Sequence, residues 1–167
     1  MDAWYLIQTK PRQETLAKNN LQRQGFNIYL PMAPTRRRKR GKAYYLPGPM
    51  FPLYLFIYLN DGIDDWGPIR STIGVSKLVY FGRIPARVPS GLIDTLKGRE
   101  DVEGLQIIPD NNFDVGDKVL ISQGIFEGYE AIVHAKSEQK RSLLLLSLIE
   151  SFIKIELDSH SLDHLKD

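Results

Sequence analysis

The sequence predicts an α+β fold: helices layered on an antiparallel sheet, with a small second unit behind them. Three observations carry this. Apolar patterning gives the order strand, helix, strands, helix, strand, helix over the first hundred residues. Phe51 to Leu59 alternates with apolar residues on both faces, so it is either sandwiched inside a core or buries its aliphatic face and offers its aromatic face to another molecule. Glu100 to Asn112 is acidic and polar with Pro109 in it, as a linker should be, and splits the chain into residues 1–100, a linker 101–112 and a second unit 113–167.

Trp4 to Gln8 is aromatic and branched enough for a first strand. Pro11 suits the first turn of a helix ending at Gly25, with Leu16, Ala17 and Leu21 inward and a broad polar face through Arg12, Gln13, Asn19, Asn20, Arg23 and Gln24. Phe26 to Leu30 is a short strand. The basic stretch through Gly41 predicts a hairpin tip, and Tyr44 to Leu46 lead through Pro47, Gly48 and Pro49 into the aromatic strand. There Phe51, Leu53, Leu55, Ile57 and Leu59 share one face, and Tyr54, Phe56 and Tyr58 the other. Trp66, Ile69 and Ile73 fit one side of a helix over 64–73, and Val75 to Phe81 a strand. Ser90 can cap a short helix carrying Leu92, Ile93 and Leu96.

In the second unit, Val115, Val119 and Ile121 alternate with polar residues and Gly124 and Gly128 mark turns, which predicts a small barrel of short strands. Its last part obeys two periods at once. Ile153, Ile155 and Leu157 alternate as in a strand, while Leu144, Leu148, Phe152 and Ile155 fall at i, i+4, i+8 and i+11 as in a helix. Leucine-rich composition favours the helical alternative. Strand and helix both stay open for this segment.

The net charge of +2 over 167 residues conceals a split, because residues 1–60 carry 10 Lys+Arg against 2 Asp+Glu and residues 61–167 carry 12 against 18. Attraction to a polyanion is therefore local to the front of the chain. With no cysteine there is no disulfide frame, thiolate nucleophile or zinc ribbon. The N-terminus lacks a signal-peptide pattern and no run approaches the ~20 apolar residues of a membrane span. A cytoplasmic protein is expected, monomeric, away from membranes and without cofactor or metal.

An enzyme is disfavoured. His160 and His164, at i and i+4 near Asp158 and Asp163, are the only metal-like spacing, more often a polar helix end, and no phosphate-cradling glycine loop or nucleophile elbow is present. What stands out instead is an aromatic platform, Tyr54 and Phe56, beside the cationic arm Arg36, Arg37, Arg38, Lys39, Arg40 and Lys42. Rings of this kind dominate interfaces, and clustered cations suit phosphate. The competing reading makes the rings core.

Trp4-Tyr5 opening a strand, Phe51-Pro-Leu-Tyr-Leu-Phe, Gly74-Val75 before a strand, and Phe113-Asp-Val-Gly-Asp-Lys-Val followed by Gly124-Ile-Phe-Glu-Gly together resemble the NusG family of transcription elongation factors. The resemblance implies an NGN domain followed by a KOW-containing unit on a five-stranded barrel. Gly124 to Tyr129 followed by Arg141-Ser-Leu-Leu-Leu-Leu-Ser-Leu-Ile looks most like the specialised RfaH-type branch, in which the second unit can dock as a helical hairpin on the aromatic face. Gly48 stands where that branch often has an acidic partner for the residue matching Arg141, and Asp65-Trp66-Gly67-Pro68 looks closer to the general factor.

The resemblance implies polymerase clamp-helix binding by Tyr54, Phe56 and Phe81, contact with non-template DNA by Lys10, Arg23, Gln24 and Arg70, and reduced pausing and termination. It further implies that Ile125, Phe126, Leu144, Leu145 and Leu148 meet either the first unit or a small-subunit ribosomal protein, coupling transcription to translation. The rival functions are a general NusG-like factor and a ribosome-associated RNA-binding KOW protein.

Overall fold

Four antiparallel strands in the order β2-β5-β1-β6 form the central sheet: β1 (Asp2–Thr9), β2 (Asn27–Tyr29), β5 (Tyr54–Asn60) and β6 (Val75–Leu78). The computed structural model describes residues 2–107, 132, 135 and 137–164. β1 runs against β5 in unbroken register from Asp2 opposite Asn60 to Gln8 opposite Tyr54. Both strands are central, so both faces must be covered, and apolar residues on both faces meet that requirement.

One face packs Tyr5, Ile7, Leu55, Ile57 and Leu59 against Ala17 and Leu21 of α1 (Glu14–Arg23) and Ile69 of α2 (Gly67–Ser71). Gly74 lets α1 come close: its φ is +98°, and a Cβ there would stand 2.8 Å from the Ala17 amide nitrogen. The other face packs Leu6 and Phe56 under Leu92, Ile93 and Leu96 of α3 (Ser90–Gly98) and under α4 (Glu138–His164). The short pair β7 (Tyr80–Phe81) and β8 (Ile84–Pro85) closes its rim. After α3 the chain returns beside Met32, just beyond β2, where the Gln106 amide donates to the Met32 carbonyl at 2.7 Å.

β3 (Met32–Lys39) and β4 (Lys42–Pro49) make a separate two-stranded ribbon whose tip is Arg40-Gly41, with φ of 53° and 77°. Positive φ at both tip residues is the primed turn that matches the twist of paired strands. The basic residues therefore line a strand, beyond the tip itself.

Several expectations need correction. Leu16 is 43% exposed and Ile73 70%, while Glu14 is buried and takes the inward place at the start of α1. The helix begins at Glu14 and not at Pro11, and α3 is capped at Pro89 rather than Ser90. Phe51 packs with Phe56 on the opposite face from Leu55. β5 starts only at Tyr54, and Leu53 sits in the left-handed region at φ 76°, which breaks the alternation. Of the two periods in the tail, the helical one is realised from Glu138 onward; the strands predicted over 115–121 lie outside the described residues, and Ile132, expected in a strand over 131–133, is helical and buried.

Candidate functional site

The aromatic face is built on β5 and finished by its neighbours. Phe56 is fully buried, edge-on to Phe51 with ring centroids 6.1 Å apart and stacked on Tyr29 at 6.2 Å. Tyr54 and Phe81 are half-buried against the same cluster, and burial raises the Tyr54 hydroxyl above the ordinary tyrosine value. Trp4 continues the face beside Tyr58, with Lys97 Nζ 5.1 Å from its ring centre.

α4 covers these rings. Leu145, Ile149 and Ile153 are buried in the same cluster as Phe56 and Phe51, and Leu144 and Leu148 flank them half-buried. With Arg141 these three repeat every fourth residue, so the buried stripe is 141, 145, 149, 153. The stripe expected from sequence, through Leu144, Leu148, Phe152 and Ile155, is one residue out of phase, and Ile155 is 65% exposed.

The start of α4 is held by backbone oxygens. Arg141, 5% exposed, donates from Nε to the Met50 carbonyl at 2.9 Å, and the Ser142 hydroxyl donates to the Pro52 carbonyl at 3.0 Å. Both acceptors lie in the turn before β5, where strand pairing supplies no donors, so α4 satisfies them. Burial lowers the Arg141 guanidinium below its ordinary value, and the nearby Glu138 carboxylate opposes that shift. Gly48 takes no part in an ion pair with Arg141. A Cβ on it would stand 2.5 Å from Thr35 Oγ1, and Thr35 is itself buried.

The turn is also braced from below. Leu53 donates its amide to the Glu14 carboxylate at 3.0 Å and offers its carbonyl to the Thr9 amide at 2.7 Å. These two bonds hold a left-handed leucine that would otherwise be strained.

All six cations of the arm, Arg36, Arg37, Arg38, Lys39, Arg40 and Lys42, are exposed on the ribbon. Cross-strand register pairs Arg36 with Tyr45 and Arg37 with Tyr44, so each face of the ribbon carries one ring opposite a guanidinium group. Tyr45 is 66% exposed.

Lys10, before α1, and Arg23 and Gln24, at its far end, are brought to one edge with residues 72–74. The Lys10 amide donates to the Gly74 carbonyl at 2.9 Å, Gln24 Nε2 to Thr72 Oγ1 at 2.8 Å, and Asn20 Nδ2 to the Ile73 carbonyl at 3.0 Å. Arg23 donates to Asn20 Oδ1 at 3.3 Å. Arg70 stands on α2 and lines an open cleft with Trp66, Gly67, Leu78 and Tyr80.

The family model described as transcription termination factor nusG matches residues 2–97, more than half of the chain. The chain belongs to the NusG family. Among curated NusG-family relatives, the transcription termination/antitermination protein NusG of Thermus thermophilus is 25% identical, covering 93% of this chain and 94% of that protein. Its counterpart from Rickettsia conorii is 22% identical over 84% of this chain and 78% of that one. A solved structure of domain interaction in Thermotoga maritima NusG covers 70% of each chain at 24% identity, with a TM-score of 0.45.

The NusG match covers the unit that carries the aromatic face, the ribbon and the α1 edge. The family model and these relatives are named for transcription termination and antitermination. Among the described residues no cluster of histidines and carboxylates could hold a metal ion, and no helix is long and apolar enough to cross a membrane. Ile125 and Phe126 lie outside the described residues, as do Phe113 to Val119, which carry the family's second-unit pattern. Sequence reasoning missed Glu14, Met50, Glu138, Ile149 and Ile153 as parts of the site. The four-residue step from Arg141 to Ile153 was the available signal for the last two.

Proposed function

We propose that this NusG-family chain is an elongation and antitermination factor of the RfaH type. In this reading its aromatic face, Tyr54, Phe56 and Phe81, receives the clamp helices of RNA polymerase, and α4 occupies that face at rest. The observation that carries it is the burial of Leu145, Ile149 and Ile153 on the Phe56 cluster: a helix from beyond the linker already sits where a foreign helix would dock. Residues 1–100 form the polymerase-binding unit, 101–112 the linker and 113–167 the regulatory unit.

Once bound, the protein bridges the nucleic-acid cleft and favours the elongating state by its differential affinity for it, so pausing and termination fall. Lys10, Arg23, Gln24 and Arg70 contact non-template DNA, since Arg and Gln can bond bidentately to base edges while Lys supplies phosphate attraction. The arm from Arg36 to Lys42 holds phosphate without sequence preference. Released from the face, the second unit is free for a small-subunit ribosomal protein through Ile125, Phe126 and residues 144–148.

The test is capture of purified core RNA polymerase by the full chain. Leu145→Asp, which places a charge in the α4 contact, should raise the affinity at least tenfold, and Tyr54→Ala in that background should abolish it while the melting temperature of the first unit holds. Tyr54 is the better probe because Phe56 is fully buried and its truncation removes core as well as interface. Equal capture of the wild type and Leu145→Asp would show that α4 does not gate the face.

A further inference from the structure

Glu138, in the first turn of α4, reaches out to the ribbon: its Oε1 stands 3.7 Å from Arg37 Nη1. Residues directly opposed in an antiparallel pair share a face, so the register puts Arg37 with Tyr44, Lys39 and Lys42 on one side and Arg36, Arg38 and Tyr45 on the other. Among the described side chains, the docked helix therefore offers a carboxylate to the Arg37 face of the ribbon. Between the ribbon's base and the helix start lies an open cleft of about 850 Å³, lined by Arg12, Arg37, Pro47, Gly48, Glu138 and Gln139 among others. At this point ribbon and helix meet through charge across a solvated gap.

We propose that nucleic-acid phosphate and α4 compete for Arg37, so that a polyanion seated on the Arg37–Tyr44 face of the ribbon loosens the docking of α4. A phosphate placed on this guanidinium must displace Glu138 or sit beside its negative charge, and either is unfavourable while α4 is docked. Linkage makes the effect reciprocal: whatever factor α4 takes from the ribbon's affinity for phosphate, phosphate takes from the docking of α4. Arg37 and Glu138 are both partly solvated, with side chains 49% and 24% exposed, so the factor is about two- to fivefold. The inference rests on the reading of the ribbon as a phosphate arm and of α4 as the cover of the polymerase-binding face, and makes the first a regulator of the second.

The experiment uses the full chain and a short labelled oligothymidylate at fixed low salt. Glu138→Gln should bind it about two- to fivefold tighter than the wild type. Glu150→Gln makes the same charge change on the same helix, at a residue paired with Lys154 at 3.4 Å, and should leave binding unchanged. The gain should vanish when Glu138→Gln is combined with Arg37→Gln. In hydrogen exchange, oligothymidylate should speed exchange of the α4 amides between Arg141 and Ile153 by the same factor in the wild type and have no effect in Arg37→Gln.

Equal gains from the Glu138 and Glu150 variants would reduce the effect to overall charge and overturn the proposal. So would α4 exchange that saturating oligothymidylate leaves unchanged. Neither readout contains polymerase, so the coupling can stand if polymerase capture fails, and fail if capture succeeds.

Discussion

Arg40 occupies left-handed backbone at the ribbon tip, φ 53°, where a Cβ crowds the carbonyl oxygen at a cost that Gly avoids and Asn offsets by local hydrogen bonding. Arg40→Asn should therefore stabilise the ribbon unit by about 0.5–1 kcal/mol in urea unfolding, without moving the strands. Glu14 shows the opposite case. Its buried carboxylate is the acceptor for the Leu53 amide, so Glu14→Ala should cost about 1–3 kcal/mol, with Glu14→Gln recovering most of it because the amide oxygen can still accept. Neither Glu14 nor its partner Leu53 was legible in the sequence. A glutamate one turn after a proline looks like an ordinary exposed first-turn acid, and a left-handed leucine has no sequence signature at all.

α4 is where the element scale matters most. Leu143 to Ile155 offers several apolar stripes to any partner, and helical periodicity alone does not say which is used. The Met50 and Pro52 carbonyls fix the rotation, because only one setting lets Arg141 and Ser142 reach them while Leu145 and Ile149 enter the ring cluster. Leu145→Ala should weaken docking by about 2–5 kcal/mol, seen as faster exchange of α4 amides, whereas Ile155→Ala should stay within about 0.5 kcal/mol of wild type. The reverse ranking would restore the stripe through Ile155. The ribbon, by contrast, was well announced: a basic run, then Gly41, then aromatic and branched residues give a hairpin whose register places each ring beside a guanidinium.

Across the whole molecule, charge and apolar surface are divided between the separate ribbon and the central sheet. The ribbon concentrates cations from a front segment that carries most of the positive excess, while the ring face lies under α4. Binding to a single-stranded oligonucleotide should fall steeply with salt, and replacing Arg36 and Arg38 with Gln should flatten the log–log slope by about 1.4, one counterion share for each phosphate lost. A slope unaltered by both substitutions would move phosphate contact away from the ribbon. The family assignment adds a common context for the ribbon, the α1 edge and the ring face, all within the matched 2–97 segment and its neighbours.

The sequence by itself determined the α+β layering, the sheet's two apolar faces, the basic hairpin and the family, because each follows from local periodicity, turn residues and the order of motifs along the chain. Only the tertiary structure decided that the tail from Glu138 is helical, how that helix is rotated, and that Phe51 joins Phe56 instead of Leu55. The physical reason is shared. A leucine-rich segment that satisfies two periods, and a turn that inverts the alternation through one left-handed residue, are settled by the surface they pack against and by which carbonyls need a donor there.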